Sequence, residues 1–217
     1  MLRRHVDMQV PEAMTQLGGC YRDGDLGLVK SGKRAARLFE RAVELGNVKA
    51  MTNLGCLYEK GNGVKLSKKK ATNLYRMAAD RGHAVAQYNL GNFAYDTNDF
   101  SEAARLYGLA AAQGHTNSQY KLAHILHEKS NGSIDNTLDA IRNGRPTDRC
   151  KAMRLYALAA AKGHEDAKVA LAKLKASEEE TEQEYLAWKA KKRATLAELA
   201  ANGDEEAKTR LATGMWD

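Results

Sequence analysis

The sequence is short of the residues that staple, break or span. Two prolines and three cysteines occur in 217 residues. Three cysteines make neither a disulfide framework nor a paired CxxC metal site. Cys20 and Cys56 also fall out of register with each other in the repeat described below, so free thiols in a reducing compartment are expected. No run approaches the roughly 18 apolar residues of a membrane span, and the mean hydropathy of −0.58 is that of a polar chain. The start, "MLRRHVDMQVPEAM", is basic but lacks the apolar core of a secretory signal. The one sequon, Asn131-Gly132-Ser133, matters only on a secretory route. A cytoplasmic location is expected, with the nucleus as the alternative.

Charge is less lopsided than the pI suggests: 34 basic residues against 27 acidic give +7. Part of the excess is local. Lys60, Lys65, Lys68, Lys69, Lys70, Arg76 and Arg81 stand against Glu59 and Asp80. Such a patch can draw nucleic acid or an acidic partner. With no aromatics interleaved among its lysines from Lys60 to Lys70, we read it as a solvated helix face. "KAKKR" (Lys189 to Arg193) is read the same way rather than as a nuclear signal.

What the chain has in quantity is self-similarity. Gly46, Gly82, Gly114, Gly163 and Gly203 recur at spacings of 36, 32, 49 and 40. Leu17-Gly18, Leu54-Gly55, Leu90-Gly91, Leu122-Ala123, Leu171-Ala172 and Leu211-Ala212 keep step with them. A fixed period in this range means stacked supersecondary units. Each unit reads as two helices, with no β-branched alternation. Ala86, Leu90 and Ala94 mark one face of a first helix, and Ala71, Leu74, Tyr75, Ala78 and Ala79 the apolar stripe of a second. Ala103–Leu106–Tyr107–Ala110–Ala111 and Ala152–Leu155–Tyr156–Ala159–Ala160 repeat that stripe. Glycine inside a helix costs about 0.8–1 kcal/mol against alanine. Its recurrence at Gly18, Gly55 and Gly91 therefore predicts a close approach by the neighbouring helix. The chain is expected to be all-α.

The unit "AMTNLGCLYEKGNGVKLSKKKATNLYRMAADRGH" (Ala50 to His83) resembles the Sel1-like repeat, a relative of the tetratricopeptide repeat. The first unit departs with Phe39 for tyrosine and Asn47 for histidine. The third replaces Gly-x-Gly-Val by "DTNDFSEA", and the fourth carries an insertion. The resemblance implies a right-handed α/α superhelical solenoid of stacked antiparallel helix pairs. The expected layout is an N-terminal arm (1–10), then repeats over 11–175. These are four helix pairs and the first helix of a fifth, with an insertion at about 130–149. A degenerate repeat or capping helices fill 176–217, where an acid-rich stretch precedes a partial apolar face of Trp188, Leu196 and Leu199. The insertion, with a short helix near Asn136 to Arg142 ended by Gly144 and Pro146, is either a binding loop or a solvated excursion.

Two chemical readings fail on spacing. Each Gly-His pair (Gly82-His83, Gly114-His115, Gly163-His164) fits a helix end followed by a turn, with glycine in the left-handed C′ position. Equivalent points on stacked helices stand about 8–10 Å apart per packing step. Zinc instead needs nitrogens at about 2.0–2.1 Å, so these histidines are read as turn residues. "GLVKSGKR" (Gly27 to Arg34) falls one residue short of a phosphate-binding loop, with Arg34 in place of the magnesium-binding hydroxyl and a helix rather than a strand before it.

Function therefore rests on a surface. Tyr88, Asn92 and Tyr95 share a face of their helix away from Ala86 and Leu90. One period later the same positions are Tyr120, His124 and His127; earlier they are Thr52, Cys56 and Glu59, then Thr15, Gly19 and Arg22. The resemblance implies that first helices line the concave groove. Thr52, Glu59, Tyr88, Asn92, Tyr95, Tyr120, His124 and His127 are thus the expected partner-binding positions. Tyrosines would give contact area and Asn92 hydrogen bonds to a peptide backbone. The alternative that some of these rings pack between repeats stays open. His124, His127 and Glu128 share a helical face, but form no zinc motif and are read as polar groove surface. No catalytic group, metal or cofactor is expected. The role is that of a scaffold or adaptor for a protein or peptide, with no membrane partner. Two rivals are a hydrolase like certain cysteine-rich relatives tied to β-lactam hydrolysis, whose in-register cysteine pairs are missing here, and nucleic-acid binding through the basic run.

Overall fold

The computed structural model describes residue 6 and residues 9–131 and 147–213. Most of the expected arm and of the expected insertion, with its short helix, lies outside these residues. The helices are α1 (Pro11–Asp23), α2 (Gly32–Glu44), α3 (Val48–Lys60), α4 (Lys68–Ala79), α5 (Ala84–Asp96), α6 (Phe100–Ala112), α7 (Thr116–Asn131), α8 (Asp148–Ala161), α9 (Glu165–Ala201) and α10 (Glu205–Thr213). No strand occurs among the described residues. Pairs α1–α2, α3–α4, α5–α6 and α7–α8 pack within themselves and onto the next pair, giving the expected all-α stack of helix pairs. Two compact units result, Met1–His164 and Glu165–Asp217.

The core of each of the first three pairs is one aromatic ring laid on one glycine. A Cβ on Gly18 would stand 2.6 Å from Phe39 Cε1, and on Gly55 or Gly91 2.7 Å from Cε1 of Tyr75 or Tyr107. The missing side chain thus makes room for a ring, not for a helix backbone. Alanine lines the rest: Ala42, Ala50, Ala71, Ala78, Ala86, Ala103 and Ala110 are fully buried, so helices approach closely around each ring.

Each joint between units is closed by the backbone. At Gly82, φ is +80°, a conformation that costs glycine little because it has no Cβ. There Gly82 N–H donates to the Ala79 carbonyl (2.9 Å) and His83 N–H to that of Ala78 (3.1 Å), the double closure of a Schellman cap. Asn47, His115 and His164 repeat it toward Ala42, Ala110 and Ala159 at 2.9, 3.0 and 3.1 Å, after Gly46, Gly114 and Gly163 in the same conformation.

Turns inside the units differ. Ser31 and Ser67 cap α2 and α4, accepting from the N–H of Arg34 and Lys70 at 3.3 Å. A Cβ on Gly63 would overlap the backbone of Gly32 and Lys33, and one on Gly32 would meet Asn62. The turns of the first two units therefore pack backbone to backbone. This is what Ser31 and Gly32 of "GLVKSGKR" serve: a helix cap and a turn contact rather than a phosphate cradle.

The expected division at 175/176 falls inside α9, which runs 37 residues to Ala201 without a break. Neither glycine nor proline occurs between Glu165 and Ala201, so nothing in the chain ends the helix, about 55 Å long at 1.5 Å per residue. Trp188 is about half exposed on it, with Lys192 Nζ 4.9 Å from the ring centroid.

Candidate functional site

The first-helix position held by Thr15, Thr52, Tyr88 and Tyr120 turns out to face the capping residue of the next unit. Thr15 Oγ1 donates to Pro11 O (2.8 Å) and lies 3.2 Å from Asn47 Oδ1. Thr52 Oγ1 meets His83 Nδ1 at 3.0 Å. In the third and fourth units a ring replaces the hydroxyl: Tyr88 lies on His115 with centroids 4.8 Å apart, and Tyr120 stacks on His164 at 4.5 Å. The tyrosines are half-buried.

Thr52 leaves the groove set. It is 3% exposed, and its hydroxyl is engaged across the joint. Asn92 sits one turn beyond Tyr88 and Glu59 two turns beyond Thr52, and each is tied to the ring of its own unit. Tyr75 Oη donates to Glu59 Oε2 (2.7 Å) and lies 3.2 Å from Cys56 Sγ, while Tyr107 Oη donates to Asn92 Oδ1 (2.7 Å). Burial, the larger cause, and these bonds hold the Tyr75 phenol well above the ordinary range. Burial, followed by the neighbouring Tyr120 and Glu128, pushes Tyr156 up to about 12. His83 and His115 are held below the ordinary histidine value, first by burial, then by Lys49 for His83 and by His83 and Lys162 for His115.

The histidines work singly. His83 serves Thr52, whereas His115 Nδ1 accepts the Ser118 N–H (3.3 Å) and lies 2.8 Å from Ser118 Oγ. Among the described residues no group of three His, Cys, Asp or Glu side chains could hold a metal ion. Cys20, Cys56 and Cys150 are free thiols.

Tyr95 and His124 are brought together. With Phe100, Ser101, Ala104, Ile125, Leu126, Glu128 and Lys129 they line a cleft of about 720 Å³ between the end of α5, the start of α6 and the second half of α7. Tyr95 meets Phe100 edge-on at 5.2 Å and carries Lys121 Nζ 5.5 Å from its ring centroid. His127 is half-buried on the same helix and outside this lining. Sequence reasoning passed over Phe100, because the first residue of a helix stands outside the apolar period. It also passed over Ile125 and Leu126, which that reading would bury. A second, polar cleft of about 510 Å³ lies across α1 and α3, lined by Gln16, Gly19, Arg22 and Asn53 among others.

The Sel1 repeat profile matches residues 11–47, 48–83, 84–115 and 116–164, which is most of the chain. Among solved structures, a Sel1 repeat protein from Oxalobacter formigenes superposes with a TM-score of 0.60 at 28% identity, over 76% of this chain and 64% of that one. The protein c5321, a protective antigen of uropathogenic Escherichia coli strains with an SLR fold, superposes at 0.64 with 21% identity, over 98% of this chain. The present chain thus spans 64% and 42% of the lengths of those two proteins. No curated protein matches it. Among the described residues, no helix is long and apolar enough to cross a membrane.

Proposed function

Since the chain belongs to the Sel1 repeat family, we propose that it is a non-catalytic scaffold or adaptor that holds a peptide or a partner protein on the first-helix face of its third and fourth units. The observation that carries this reading is the convergence of Tyr95 and His124 with Phe100 in one cleft whose volume suits a peptide side-chain cluster. Rings half in and half out of water supply contact area at low entropic cost. Asn92 adds a directional group. Its carbonyl is committed to Tyr107, while its amide NH2 has no partner among the described residues and can donate to a peptide carbonyl. Tyr88, packed on His115 and Tyr107, and Tyr120, packed on His164 and Tyr156, take part through their half-exposed edges. Glu59 and His127 lie at the margins.

The test is affinity capture with the wild type beside Tyr95→Ala/His124→Ala. We expect a specific co-purifying protein to be lost at least about tenfold, as for a hot-spot pair, with the melting temperature nearly unchanged. Equal capture by both proteins would remove the cleft from the interface.

A further inference from the structure

A second surface lies on the opposite kind of element, the turns inside the first two units. Leu26 and Val29 are 78% and 80% exposed, and Leu66 is 58% exposed. Aliphatic side chains this open, on two turns that touch through Gly32, Asn62 and Gly63, form one edge. The same edge is strongly cationic. Lys30, Lys33 and Arg34 accompany the first turn, and Lys60, Lys65, Lys68, Lys69 and Lys70 the second; all are exposed. Asp25 is the one acid over 24–34 and 60–70, so these two segments carry as much net charge as the whole chain. None of the eight cations enters an ion pair among the described residues; Arg34 and Lys70 lie over the rings of Tyr21 and Tyr58, which leaves six lysines for a partner.

Two details argue that the charge serves something outside the fold. Cations at a helix N-terminus oppose the macrodipole, yet α2 and α4 begin with basic residues and no acid in their first turns, whereas α6 and α8 begin with Glu102 and Asp148. The third unit's turn, "DTNDFSE" from Asp96 to Glu102, has three acids and no base. The basic, aliphatic edge therefore stops at the second unit.

We infer that this edge docks on the surface of an anionic lipid membrane. Leu26, Val29 and Leu66 enter the boundary between headgroups and acyl chains, and those lysines lie against the lipid phosphates and carboxylates. The combination selects the partner. Nucleic acid would use the cations and leave three aliphatic tips in water, and an acidic peptide would not need them at the crest of a cationic edge. Apolar insertion and attraction to anionic headgroups act together at a membrane surface. The expectation of no membrane partner rested on the lack of a spanning run, which such peripheral docking does not require.

Flotation of the full chain with phosphatidylcholine vesicles, with and without phosphatidylserine, tests this. Binding is expected only with phosphatidylserine. Lys65→Glu/Lys68→Glu should weaken it by about fivefold or more per lysine. Leu26→Ser/Val29→Ser/Leu66→Ser should weaken it by on the order of tenfold or more. All five positions are exposed, so an unchanged melting temperature accompanies both effects. The inference is overturned if neither vesicle binds, or if the serine variant binds as the wild type does. It is also overturned if a duplex RNA is retained with equal affinity by wild type and serine variant while vesicles are not. Tyr95→Ala/His124→Ala should float normally, which keeps this result separate from the fate of the cleft.

Discussion

At the joints of the first two units, Thr15 and Thr52 reach Asn47 and His83 through contacts of 3.2 and 3.0 Å, while at the next two Tyr88 and Tyr120 lay their rings on His115 and His164. The backbone around both kinds of joint is the same. What differs is the side-chain chemistry fitted into it, and the difference has a local consequence. With Nδ1 of His83 turned to Thr52, α5 starts without a side-chain cap. His115 contacts Tyr88 through its ring and so keeps Nδ1 for the Ser118 N–H, which also explains a fully buried serine. The Nδ1 of this histidine position thus serves either the previous unit, as in His83, or its own helix, as in His115. The two solutions are of similar worth. A hydrogen bond contributes on the order of 1 kcal/mol net, and an aromatic pair about 0.5–1.5 kcal/mol beyond the area it buries.

The largest effect tests whether the frame is truly common to both halves. Gly55→Val and Gly91→Val should each destabilise by about 3 kcal/mol, because the added side chain strikes the ring of Tyr75 or Tyr107. Thermal unfolding of the two variants should give matching losses, and a wide gap between them would break the comparison at its base. The next effect separates the halves. Tyr88→Ala or Tyr120→Ala should cost about 2 kcal/mol through lost area and stacking. Thr15→Ala or Thr52→Ala should cost about 1 kcal/mol. Denaturant titration would read the order, and equal losses would mean the rings contribute nothing beyond what the hydroxyls do.

The smallest effect is on acidification. Burial holds His83 and His115 below the ordinary value of 6.5. The unfolded chain therefore takes up protons first. The stability they contribute is full above 6.5 and is lost as pH falls through that value toward the lower folded one. Melting temperatures at pH about 7.5 and about 5 should show the decline, and His83→Asn/His115→Asn should flatten it. A slope untouched in that variant would assign the pH dependence to carboxylates instead.

The period, the helix pairing and the cap glycines were legible because each is written within one unit: a glycine every 32 to 49 residues, and an alanine stripe at helical spacing. The role of Gly55 was half legible. The pattern demanded space but did not say that Tyr75 fills it. Whether Tyr88 faces a groove or His115 depends on the axial offset between neighbouring units, which no single helix encodes. Thr52 was misplaced for that reason. The exposed tips Leu26 and Val29 were invisible for another: burial is the ordinary fate of aliphatic residues, so a sequence pattern assigns them inward by default. The unbroken α9 was readable in principle, from the absence of glycine and proline after Glu165.

The residues that close one helix in the repeats also stand directly before the next, as Asn47, His83 and His115 do. Such a joint has no slack. An added residue there would separate two jobs that a single amide and side chain perform, and would rotate every later unit about the stack. Length can therefore vary only where one helix of a pair hands over to the other. There the chain spends seven residues between Lys60 and Lys68 but three between Asp96 and Phe100. In a protein assembled this way, novelty accumulates along one margin of the stack while its rise per unit stays locked, and the turns are the natural place to graft a new sequence.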